Sequence, residues 1–159
     1  MLVLGIDPGL ATMGYGIVRK AKPRVEYVAG GTIATSSRRP YAERLNKLYT
    51  GVCTIIEQHR PQVLVMERPI YCQNIKTALT LGQAGGMAVL AAARHDVQLV
   101  EYAPSEVKLA VVGKGRATKE QVLRMVSTII KLPEPLTSEH VADALACAIC
   151  FAHSHRSSD

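Results

Sequence analysis

Val63-Leu64-Val65-Met66 is an unbroken apolar run that stops at Glu67. A strand with one wet face alternates apolar and polar residues, so a continuous run needs cover on both faces, as a parallel strand between two layers of helices has. A chain built around such a strand is α/β. Leu2-Val3-Leu4-Gly5-Ile6 is a second compact apolar strand, turned by Asp7-Pro8-Gly9 into Gly14-Tyr15-Gly16-Ile17-Val18, which reads as a hairpin. Val25 to Ala29 and Gly31 to Thr35 alternate as a third strand, with a glycine bulge expected at Gly30-Gly31. After the basic loop Ser36 to Pro40, apolar residues at 45, 48, 52, 55 and 56 recur at helical spacing up to His59, and Pro61 closes that helix.

Further helices are predicted from Asn74 to His95, from Glu106 to Val112, from an N-cap at Thr118 with Gln121 completing a capping box, and from Thr137 or Ser138 to about His153. A fifth strand is predicted from Val97 to Tyr102. This order implies a five-stranded mixed sheet, three antiparallel strands then two parallel, flanked by helices on both faces. With 159 residues and 48% hydrophobic content the chain has material for one core, which points to a single domain over residues 1–155 and a short flexible tail at 156–159.

A formal net charge of +6 favours a polyanionic partner, nucleic acid or an acidic membrane surface. The apolar start Met1 to Ile6 is too short for a signal peptide, and the uncharged run Thr77 to Ala93 falls short of the roughly 20 residues a span needs. No membrane and a cytoplasmic location are the expectations. Cys147 and Cys150 have the gap of many zinc sites, but no second pair matches it and both lie in an apolar helical stretch, so they read as small hydrophobes with reduced thiols.

Asp7 alone is good turn chemistry; Glu67 puts a second carboxylate at a second strand end. Sites in open sheets gather at the carboxyl ends of parallel strands, so if the two strands are neighbours both carboxylates enter one crevice. Held that close they repel unless a cation neutralises them, and hard oxygen ligands suit magnesium or manganese. Downstream, Asp143 shares a helix face with His140, three residues before it, and almost equally with Glu139, four before it. Helical spacing leaves both open. Gly113-Lys114-Gly115-Arg116 ahead of a capped helix suits a phosphate, and Lys119 in the first helical turn opposes the helix dipole and so asks for a reason. Gly9 to Gly14 has the glycine spacing of a phosphate loop but continues Tyr15-Gly16, which excludes that motif.

The start Gly5-Ile6-Asp7-Pro8-Gly9 with Gly14-Tyr15-Gly16, the strand end at Glu67, Leu81-Gly82-Gln83-Ala84-Gly85-Gly86, Val107-Lys108 with Val112-Gly113, and His140-Val141-Ala142-Asp143-Ala144-Leu145-Ala146 run in order along the chain. Together they closely resemble the RuvC family of Holliday-junction resolvases. The resemblance implies an RNase H-like fold and a homodimer using Mg2+ or Mn2+, two ions per subunit. It implies paired, symmetrical nicking of four-way DNA junctions in homologous recombination and DNA repair, in the company of a branch-migration helicase complex. The family's acidic residues fall on Asp7, Glu67 and Asp143. The fourth position, aspartate in some members, is His140 here, which favours His140 over Glu139 and tilts the site toward manganese. Lys108 and Lys119 match basic residues near the active site.

Where relatives place an aromatic at the junction centre, this chain has Arg68-Pro69-Ile70-Tyr71. Ile70 or Tyr71 would wedge or stack there, and with Arg68, Gln73, Asn74, Lys76, Lys114 and Arg116 they complete the expected DNA surface. Two rivals carry other functions. A non-catalytic junction-binding scaffold would not need all three acidic positions filled, and an actin or sugar-kinase type of nucleotide-binding protein would need two domains where this chain has length for one.

Overall fold

The computed structural model describes residues 1–21, 23–68, 74–132 and 136–154. In chain order the elements are β1 (Leu2–Asp7), β2 (Thr12–Lys20), β3 (Val25–Ala34), α1 (Tyr41–His59), β4 (Val63–Glu67), α2 (Ile75–Arg94), β5 (Gln98–Tyr102), α3 (Pro104–Val112), α4 (Lys119–Ile130) and α5 (Glu139–Ser154). The strands form one sheet ordered β3-β2-β1-β4-β5. β2 pairs antiparallel with both β1 and β3, whereas β1–β4 and β4–β5 are parallel. The mixed sheet read from the sequence is therefore the one found, and β1 and β4 are neighbours.

Alternation along the strands divides the core in two. Val3, Val18, Val63 and Val65 pack with α3, α4 and α5, while Leu4, Ile6, Met13, Ile17, Leu64 and Met66 pack with α1 and α2. Cover on both faces of β1 and β4 is the physical reason their apolar runs are unbroken.

α5 lies unusually low on the sheet. A Cβ at Gly5 would stand 1.8 Å from the Ala144 carbonyl oxygen, and one at Gly14 would stand 2.1 Å from that of His140. The same strand pairing sets Gly5 opposite Gly16 and Asp7 opposite Gly14. Glycine here serves close approach of helix backbone to strand backbone.

Local signals account for several helix ends. Thr118 and Gln121 form the predicted capping box, with Gln121 N donating to Thr118 Oγ1 at 3.2 Å and Thr118 N to Gln121 Oε1 at 2.9 Å. Asn74 accepts from Thr77 N at 3.1 Å and so caps α2. α3 starts two residues earlier than its apolar pattern suggests, because Pro104 suits a first helical position and Glu106 Oε2 accepts from Ala103 N at 2.6 Å. Gly113, at φ +78°, ends it.

The expected bulge at Gly30-Gly31 is not there. Ile17 pairs with Ala29 and Val18 with Tyr27, which leaves Val28 as the extra residue, while Gly30 and Gly31 pair regularly with Gly16 and Tyr15. Those glycines make room instead: a Cβ would come within 2.9 Å of Val141 Cγ1 at Gly30 and of the Tyr15 ring at Gly31. Cys147 and Cys150 are free and buried in α5, and burial pushes the Cys150 thiol up to about 11. No described helix is long and apolar enough to cross a membrane.

Candidate active site

Strand periodicity aims the first two carboxylates. Asp7 follows Val3 and Gly5, and Glu67 follows Val63 and Val65, so each continues the face of its strand that meets α5. The register Ile6 opposite Met66 sets them level. α5 brings the third carboxylate, Asp143, with His140 one turn before it.

His140 Nδ1 donates to Asp7 Oδ2 at 2.7 Å. Glu139, the rival by spacing, instead faces Lys119 with Nζ to Oε2 at 3.8 Å, both side chains exposed. Of the two candidates that helical spacing left open, it is therefore His140 that meets Asp7.

All three carboxyls are held above their ordinary range. Burial does most of it at each. At Glu67 the charges of Asp143 and Asp7 add to it while Lys108 and Lys119 oppose. At Asp143 the charge of Asp7 adds and Lys119 opposes. At Asp7 the His140 hydrogen bond and charge oppose, followed by Lys119. Three half-buried acids thus feel one another, with two lysines facing them. Among the described residues no three His, Cys, Asp or Glu side chains are drawn close enough to grip an ion directly. Carboxylates without a counter-ion repel, and bringing their oxygens together requires positive charge between them. The donor set, three hard anionic oxygens and an imidazole, is chemistry that fits a divalent cation.

A cavity of about 350 Å3 opens beside Asp7 and Glu67 toward α2, lined by Pro8, Met66, Leu81 and Gly85 and bordered by Arg68 and Glu101. Lys108 sits on α3, and Lys114, Arg116 and Lys119 are exposed around the start of α4. Lys76 is exposed in the first turn of α2, and Asn74 spends its side-chain carbonyl on the α2 cap. Ile70, Tyr71 and Gln73 lie outside the described residues. Sequence reasoning named Gly14 only as part of a strand and motif and missed that its bare backbone lies under His140 and lets that residue approach Asp7; its cross-strand pairing with Asp7 was the signal.

The raised carboxyls fix the sign of a stability effect. A folded-state pKa above the unfolded one contributes stability that is present below the unfolded pKa, near 3.8 for Asp143, and lost as pH rises through the folded value. At neutral pH the ionised Asp143 therefore opposes folding, and Asp143→Asn should raise Tm in the absence of divalent ions. Each kcal/mol relieved is worth about 2–4 °C at this chain length. Melting in EDTA at pH 7 and pH 4 checks it: the gain should shrink at pH 4, and a lower Tm for the variant at pH 7 would contradict the repulsion.

The chain matches the family profile of crossover junction endodeoxyribonuclease RuvC over residues 3–151. It is 50% identical over 155 residues to the crossover junction endodeoxyribonuclease RuvC of Pelotomaculum thermopropionicum, covering 98% of this chain and 94% of that one. The structure of T. thermophilus RuvC in complex with a Holliday junction substrate superposes with a TM-score of 0.91 at 34% identity, over 97% of this chain and 94% of that one. The yeast mitochondrial Holliday junction resolvase, at 16% identity and a TM-score of 0.67 over 95% of this chain and 77% of that one, shares the fold. This chain belongs to the RuvC family of crossover junction endodeoxyribonucleases.

Proposed function

We propose that this protein resolves four-way DNA junctions by divalent-metal-dependent hydrolysis of phosphodiester bonds, with Asp7, Glu67, Asp143 and His140 as the ligands. The observation that carries the reading is the convergence of three half-buried carboxylates at one sheet end, each held up by burial, with Glu67 raised further by the charges of Asp143 and Asp7 and Asp143 by that of Asp7. When bound, a pair of Mg2+ or Mn2+ ions supplies an activated water and stabilises the leaving 3′-oxygen. Asp7, tied to His140, would hold the ions together with the other two carboxylates. Glu67 and Asp143 would be the further carboxylate ligands, and His140 would offer Nε2 while Nδ1 stays on Asp7. Lys108 and Lys119 offset the charge that develops on the phosphate. Lys114 and Arg116 hold backbone, while Arg68, Asn74 and Lys76, with Ile70, Tyr71 and Gln73, act near the branch.

A four-way junction has near two-fold symmetry, so a C2 dimer places one site at each of two equivalent strands. α2 supplies a surface for a second copy: Ile75, Leu79 and Leu90 are 72%, 63% and 46% exposed and recur along one side of the helix. Residues 1–155 act as one nuclease domain in recombination and repair in the cytoplasm, with a branch-migration helicase as partner. The deciding experiment is a synthetic junction with end-labelled arms. Symmetrical paired nicks that require Mg2+ or Mn2+ support the reading; nicking that persists in EDTA, or none on any junction, sinks it.

His140 gives a sharper test. His140→Asp keeps a ligand at this position but exchanges imidazole for a harder carboxylate, retains cleavage and moves the preference from Mn2+ toward Mg2+. His140→Ala loses about 10–100-fold, the scale of removing support from a metal site. Glu139→Gln gives up an exposed ion pair with Lys119 and a minor repulsion on Asp143, and should cleave within about two-fold of the parent. Single-turnover rates in each metal measure all three. A dead Glu139→Gln beside an unaffected His140→Ala would reverse the assignment.

A further inference from the structure

Positive charge is not confined to the surroundings of the carboxylates. Between Ser36 and Lys47 stand four cations, Arg38, Arg39, Arg44 and Lys47, against the single carboxylate of Glu43, a formal surplus of three in a chain whose whole surplus is six. Half of the protein's net charge therefore sits in one short segment that the active site does not use.

Three of these cations line one cleft of about 440 Å3. Arg39, Arg44 and Lys47 meet there with Thr35, Ser36, Asn46, Thr50 and the single carboxylate of Glu43, and among the described residues no apolar or aromatic one lines it. The helix register explains the cleft. Residues 44, 47 and 51 follow at spacings of three and four and share one side of α1. At Gly51 that side lies against β3, where a Cβ would stand 2.8 Å from Ile33 Cδ1. β3 ends at Ala34, so Lys47 and Arg44, nearer the start of the helix, project past the end of the strand rather than onto it.

The donors are held ready. Arg44 Nε donates to Thr35 Oγ1 at 2.9 Å, which fixes the guanidinium and leaves its terminal amino groups unengaged among the described residues. The Lys47 ammonium bonds no described residue. Arg39 pairs with Glu43 at 3.0 Å, both exposed, an ion pair worth little and readily exchanged for a phosphate.

The cleft also shares an end of the sheet with the carboxylates. Thr35 Oγ1 donates to the Leu10 carbonyl at 2.5 Å and Thr35 N to that of Ala11 at 2.9 Å, so it rests on the turn that follows Asp7. Asp7 and Leu10 are three residues apart, at most about 10 Å of chain. We propose that this cleft is a second DNA site, which holds the sugar–phosphate backbone of a junction arm to one side of the cut. Three cations against one carboxylate suit phosphates, and no described aromatic residue lines the cleft for a base to stack on, so it senses charge and not sequence. The proposal rests on the junction reading given above.

Salt dependence tests it. Binding of the full chain to a four-way junction, and to a linear duplex of two joined arms, is measured in EDTA across a range of salt. Each phosphate contact contributes about 0.9 to the slope of log K against log salt. Lys47→Gln should lower the slope by about 1, and Arg44→Gln with Lys47→Gln by about 2, on both DNAs. Arg124→Gln with Lys131→Gln removes as much charge from α4 and its end and should leave the parental slope. Lys47→Gln decides the matter alone if the Arg44 change perturbs folding. Parental slopes in the cleft variants would overturn the site, as would an equal fall in the α4 pair. Failure of the parent to prefer the junction over the duplex would count against the junction reading, and the slopes on the duplex would still decide the cleft.

Discussion

Asp7→Asn should lower single-turnover junction cleavage by at least about 10²–10³-fold, the scale of deleting one preorganised electrostatic group from a water-excluded site. Asparagine keeps the shape of the side chain and an oxygen that can still accept from His140 Nδ1, so the local geometry has a reason to persist. What is lost is one of three converging negative charges, and with it the field that attracts a divalent cation. Junction affinity in EDTA should hold or rise slightly, since the lysines and arginines that meet the phosphates are intact and a repelling charge beside them is gone. Mn2+ titrated against melting temperature separates ligand loss from misfolding: the parent should gain stability with the ion and the variant should gain less. Cleavage by the variant at a rate comparable to the parent would remove Asp7 from the metal site.

How much of this was legible in the sequence follows from which interactions are local. The apolar run before Glu67 announced cover on both faces, and the structure supplies it because β4 lies between β1 and β5 with helices above and below. The Thr118–Gln121 box was readable because its hydrogen bonds span three residues. The bulge was misplaced because flexibility at Gly30 and Gly31 looks the same whether it serves a bulge or the approach of Val141 and Tyr15, and only the pairing partner distinguishes them. His140 and Glu139 were equivalent by helical spacing, since the choice depends on the height and rotation of α5 over the sheet. That height is set by Gly5 and Gly14, far away in sequence. The cationic cleft was hidden for a related reason: helical spacing marks only the apolar side of α1 and says nothing of Arg44 and Lys47, and only the point at which β3 stops turns them into a wall.

Gly5→Ala should therefore damage both stability and activity, although it adds a single methyl group. The new Cβ would lie 1.8 Å from the Ala144 carbonyl oxygen, with the Ala144 carbon at 2.8 Å and Ala148 N at 3.1 Å. All three are backbone atoms, so no rotamer change relieves the contact and α5 must lift. Overpacking of a core costs about 1–3 kcal/mol and more where nothing can yield, so a loss of about 3 kcal/mol is expected. At about 2–4 °C per kcal/mol the melting temperature falls by roughly 6–12 °C. The helix that lifts carries His140 and Asp143, and a shift of about 1 Å at a reacting centre can cost about 10²-fold, so cleavage should fall even well below the new melting point. Gly86→Ala is the matched comparison. A Cβ there meets nothing within 4 Å, and alanine is favoured over glycine inside a helix by about 1 kcal/mol, so this variant should melt slightly higher than the parent. Opposite signs for two identical chemical changes are what close docking of α5 on β1 requires, and a Gly5→Ala protein that melts with the parent and cuts at its rate would mean that the helix does not rest on the strand.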